Sequence, residues 1–163
     1  MSQVHLHLLI THLPIFGSIL GALVLAYALW VKNTQTKNAA YFIFIISAIG
    51  AGIAYLTGEG AEEAVEKIQG VSENMIKLHE DSAMYALISL IALGVMSIVA
   101  LVVSRFKISL MKSTSIVVLI ISLVSFGLVA RTGYLGGQIR HTEIANGAIQ
   151  SNGSAEGGEK DND

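Results

Sequence analysis

SAMYALISLIALGVMSIVALVVS, residues 82–104, carries no charged side chain from end to end. At 1.5 Å per residue such a run reaches across roughly 30 Å of bilayer hydrocarbon. Membrane strands are shorter and alternate between apolar and polar faces, so the run reads as a helix. Three more of the same kind occupy about residues 13–31, 39–57 and 113–134, with Arg131 near the end of the last. The expected fold is therefore all-α, an integral membrane four-helix bundle within one domain of residues 1–145. An outer loop is expected at 58–81 and an acidic, disordered tail at 146–163.

Composition supports a lipid solvent. Hydrophobic residues make up 53% of the 163 and charged residues 13%, a balance that a soluble domain could not cover with polar surface. The formal charge of −2 offers no cationic cluster for a phosphate backbone, so a nucleic-acid partner is not expected. There is no cysteine, which removes disulfides, thiolate metal sites, c-type haem attachment and iron–sulfur ligation together. Histidine and carboxylate remain as the strong ligands. A removable signal ending near Ala26-Tyr27-Ala28 is disfavoured, because residues 1–12 hold no Lys or Arg.

Charge placement predicts orientation. The connection between the first two apolar runs carries Lys32 and Lys37, and that between the last two carries Arg105, Lys107 and Lys112, with no acid in either. All 12 acidic residues fall on the other side. Short basic loops stay in the cytoplasm. Both termini and the 58–81 loop are thus expected outside, at the periplasmic face of a bacterial inner membrane. Within the loop, Ala61–Ile68 and Glu73–Glu80 read as short amphipathic helices broken at Gly70.

The five histidines, at 5, 7, 12, 79 and 141, fall on that same side. His5, His7 and His12 precede or open the first helix, His79 opens the third and His141 follows the fourth. Glu59, Glu62 and Glu63 follow the second, so every helix brings a candidate ligand to one mouth of the bundle, where helix bundles build cofactor and metal sites. Neutral imidazole serves both b-type haem and bare metal ions. Solvated interface groups are the plainer reading for any single histidine, and for Glu62, Glu63 and Glu80. Arg131 and Arg140 lie near the same level, where they would pair with Glu side chains or with haem propionates. Pro14 is expected to kink or start the first helix. Gly17 and Gly21 form a small-xxx-small pair suited to close helix contact, and Gly133, Gly136 and Gly137 would let a backbone or a flat cofactor approach.

Three passages resemble the DUF2231 family of bacterial four-helix membrane proteins over about residues 5–145. His7-Leu8-Leu9-Ile10-Thr11-His12-Leu13-Pro14-Ile15 is similar to its opening H-P-x-x-V-H-F-P-I. Thr57-Gly58 and His79 fit its middle, and Leu135-Gly136-Gly137-Gln138-Ile139-Arg140-His141 looks like its closing L-G-G-x-x-x-x-H. Leu8 stands where the pattern has proline and Leu13 where it has phenylalanine; His5 and the Gly58–Glu63 segment have no counterpart. Some members of the family carry fused Rieske or cytochrome c domains. The resemblance therefore implies a redox setting and haem b, with His7, His12, His79 and His141 as the matching histidines. Here the electron partner is expected to be a separate protein. The expectation is a haem-binding electron-transfer protein with His12 and His79 as the axial pair, and His7 and His141 as a second pair or as orienting groups. A non-haem Fe, Cu or Zn site built from imidazoles and Glu62 is the alternative, and an accessory subunit of a larger respiratory or transport complex, or an oligomer, is a third. No nucleophile–base pair or phosphate loop points to an enzyme, and no ionisable group at mid-membrane points to a transporter.

Overall fold

The computed structural model describes residues 2–66 and 71–140. Its elements are helices α1 (Gln3–Ile10), α2 (His12–Trp30), α3 (Thr34–Glu66) and α4 (Glu73–Phe106), a 3-10 turn (Ile108–Leu110), and helix α5 (Met111–Arg140). Among the described residues there is no strand. α2, α3, α4 and α5 are each long and apolar enough to cross a membrane, α2 together with α1. They pack in sequence order, α2 on α3, α3 on α4, α4 on α5, and α5 back on α2, while α1 lies against α3. One end of the bundle holds the connections at 31–33 and 107–110, here called the basic end. The other gathers α1 and the far ends of α3, α4 and α5, and is called the histidine end.

Pro14 explains the seam between α1 and α2. It has no N–H to return to the Ile10 carbonyl and its ring crowds that carbonyl, so the hydrogen-bond ladder fails one turn earlier. Thr11 nevertheless stays in the helical region at φ −60°, ψ −22°. The fault interrupts the ladder without turning the chain.

The basic end is closed by a tight turn. Lys32 takes φ 55°, a left-handed conformation usually left to glycine. The turn lets Asn33 N–H reach back to the Ala28 carbonyl at 3.1 Å. The Asn33 side chain then caps α3, its Oδ1 accepting from Thr36 N–H at 2.9 Å and from the Thr36 hydroxyl at 3.1 Å.

Between helices the packing is close because the contact residues are small. A side chain at Gly17 would run into Ser47, and a Cβ at Gly94 would lie 2.7 Å from the Ala48 Cβ. The Gly17/Gly21 pair thus sits on α3, as its spacing implied. Leu25, Tyr41, Phe44, Leu93 and Val118 fill the core at 0% exposure. Buried hydroxyls return to their own helix: Ser97 donates to the Leu93 carbonyl at 2.7 Å and Ser122 to Leu119 at 2.7 Å. Tyr41 instead reaches across the core to Ser115 at 2.8 Å, tying α3 to α5. Outward positions such as Leu23, Ile46, Ile91 and Leu123 are apolar and more than half exposed or nearly so, the reverse of a water-soluble surface.

The helices overrun the apolar stretches read from sequence. α3 continues nine residues past Thr57 to Glu66, and α4 begins at Glu73 rather than at residue 82. Most of the expected 58–81 loop is therefore helix, and its two amphipathic pieces are extensions of the spans. The break at Gly70 and the tail at 146–163 lie outside the described residues.

Candidate cofactor site at the histidine end

α1 is started by Ser2, whose hydroxyl accepts from His5 N–H at 3.4 Å. Its packing against α3 carries His7 onto the far part of that helix. His7 Nδ1 lies 2.8 Å from the Ala54 carbonyl and 3.3 Å from the Thr57 hydroxyl oxygen. Its ring rests beside Gly58, where a Cβ would be 3.7 Å from Cε1.

His79 repeats the arrangement between α4 and α5. Its Nδ1 donates to the Thr132 carbonyl at 3.0 Å. A Cβ at Gly136 would come within 3.0 Å of its Cε1 and 3.1 Å of Nδ1, so only a bare backbone leaves room for the ring in this position. Thr132 is itself held, its hydroxyl donating to Leu128 O at 2.9 Å and meeting Ser82 Oγ at 2.8 Å.

A carbonyl oxygen can only accept. In the neutral ring Nδ1 must carry the proton, and Nε2 is left as a lone pair free to bind a metal. His12 shares this state, with Nδ1 2.8 Å from the Leu8 carbonyl. Its surroundings differ, because it is exposed and its ring stacks on Phe16 at 6.1 Å. His5 faces the Ser2 hydroxyl at 2.7 Å, a group that can donate or accept, so its tautomer is not fixed.

Electrostatics group the residues further. His79 lies beyond the apolar stretch of α4, and burial lowers its pKa, opposed in part by the hydrogen bond to the Thr132 carbonyl, with smaller effects from His7, which lowers it, and Glu80, which raises it. Glu62, beyond the apolar part of α3, has its pKa raised to about 7, first by sharing a hydrogen bond with Glu80, then by desolvation and by the charges of Glu80, Glu66 and Glu59. The two carboxyls compete for one proton.

The structure thus places His7 and His79 at one end of the bundle, on different helices, and Glu62 beside Glu80. It does not bring His12 to His79, the axial pair expected from sequence; a ring stacked on outward-facing Phe16 has turned away from the bundle. Arg131 is exposed on α5 and Arg140 ends that helix, while His141 lies outside the described residues. Among the described residues, no group of three or more His, Asp or Glu side chains is placed to hold a metal ion. The carbonyl anchors at Ala54 and Thr132 have no signature in sequence, since any residue supplies one. Gly136 was visible as a point of close approach, though what it admits is an imidazole.

No protein-family model, curated protein or solved structure matches the chain.

Proposed function

We propose that the chain is a multi-pass membrane protein that binds a b-type haem at its histidine end and passes electrons near the outer face of a bacterial inner membrane. The observation that carries this reading is the pair His7 and His79. They come from different helices, each has its Nδ1 fixed on a backbone carbonyl, and among the described residues neither Nε2 has a hydrogen-bond partner. Two such donors would suit the axial ligation of a haem, which needs only two protein ligands. A non-haem Fe, Cu or Zn site needs three or more, and no such group converges among the described residues, so haem is the stronger reading.

Bound there, the haem would supply a one-electron iron couple. The residues do the rest. The carbonyl bonds hold both imidazoles in one tautomer and one orientation, and raise their basicity as ligands. Arg131 is a cation at the same end, available to propionates. The basic loops at the opposite end support an orientation with the histidine end outside.

The test is a dithionite-reduced minus air-oxidised spectrum of the purified protein made with ample haem. Sharp α and Soret bands are expected. A flat spectrum rejects haem, and elemental analysis of the same sample then separates a bare metal from an accessory subunit without a cofactor.

A further inference from the structure

At the basic end, far from the histidines, a groove of about 280 Å³ runs between α3 and α4. Asn38 and Phe42 form one wall, and Leu101, Val102, Arg105 and Phe106 the other. Its polarity is graded along the bundle axis. Asn38 and Arg105 stand near the ends of their helices, while Phe42 and Leu101 lie one turn deeper. Phe42 and Val102 are 58% and 52% exposed, so the groove opens on the lipid-facing side.

Charge specifies the occupant. Arg105 is exposed and lines the groove. The exposed cations of this end, Lys32, Arg105, Lys107 and Lys112, have no acid in the connections beside them. Basic pockets between helices at such a face suit anionic lipid headgroups.

We infer that this groove binds a single-phosphate anionic phospholipid, of the phosphatidylglycerol class. Its phosphodiester meets the Arg105 guanidinium, and one acyl chain lies along Phe42, Leu101 and Val102. Phosphatidylcholine and phosphatidylethanolamine carry no net negative charge.

Native mass spectrometry of the full chain with equal amounts of phosphatidylglycerol, phosphatidylethanolamine and phosphatidylcholine tests this. Preferential retention of phosphatidylglycerol is expected. Arg105→Gln should lower it about fivefold, the effect of losing about 1 kcal/mol for one basic contact near a membrane surface. Lys77→Gln, an exposed cation of α4 at the histidine end, should leave it unchanged. Equal retention of the three lipids, no retention, or an equal loss in both variants overturns the proposal. So does full competition by glycerol phosphate, which has the headgroup chemistry without the chains.

Discussion

A histidine with its Nδ1 on a carbonyl has one nitrogen left to offer, and where that nitrogen can go depends on the side of the helix it occupies. His7 and His79 are half-buried at the bundle end, whereas His12 is exposed beside Phe16. His7→Ala and His79→Ala are each expected to abolish the reduced haem bands, and His12→Ala to leave them; loss in both His12→Ala and His79→Ala, with His7→Ala unaffected, would restore the pair suggested by sequence. Glu62 makes a separate, pH-dependent prediction. Its pKa is raised from 4.5 to about 7, so between those values the folded state holds a proton that the unfolded chain has released. Its stabilising contribution is complete below pH 4.5 and is lost as pH rises through about 7. His79 has the opposite sign: its lowered pKa favours the unfolded chain as a proton acceptor, and its contribution is complete only above 6.5. Melting temperatures of Glu62→Gln and the parent protein across pH 4.5–7.5 separate the two, and the variant should lack the falling component. The histidine end was legible in sequence because five residues of one type share it. Their pairing was not, because it depends on Ala54, Thr132 and Gly136, which supply backbone and room.

At the scale of elements, the four spans could be read from uninterrupted apolar length, and the small-residue contact at Gly17 from spacing. The helix ends could not. Thr57-Gly58-Glu59-Gly60 has the composition of a stop signal, with two glycines among acids. In the structure those glycines are flat ground on which α1 rests, with His7 beside Gly58 and Gln3 over Gly60. The tertiary contact keeps helical a segment that local propensity would end. The opposite case occurs at Lys32, where a φ of 55° is accepted without glycine. Lys32→Gly should therefore stabilise the protein by about 1 kcal/mol, the penalty a side chain carries in that conformation. Chemical denaturation in detergent reads the change; a loss of stability would mean that the Lys32 side chain contributes more than its strained backbone costs.

For the molecule as a whole, orientation rests on charge asymmetry alone, and the absence of cysteine makes it easy to examine. A cysteine placed at Glu63 becomes the only thiol in the chain, as does one at Lys112. A membrane-impermeant maleimide added to intact spheroplasts should label Glu63→Cys and spare Lys112→Cys. The reverse pattern would put the histidine end in the cytoplasm and remove the periplasmic part of the proposed function. Aromatic residues are favoured where lipid gives way to water, and Tyr85 and Phe106, both largely exposed, bracket the apolar stretch of α4. They are about 31 Å apart at 1.5 Å per residue, close to the hydrocarbon thickness. His79 then stands about 9 Å beyond the Tyr85 level on the same helix.

α3 and α4 run without a break from the bilayer into this outer layer, which divides each helix into two solvents. Amide hydrogens past Tyr55 and before Tyr85 should trade with deuterium sooner than those further in, although the same ladder of bonds runs through both. The outer turns of α3 are roofed by α1 rather than by lipid, with His7 over Gly58 and Gln3 over Gly60, so a helix lying across the mouth does there what the bilayer does further in.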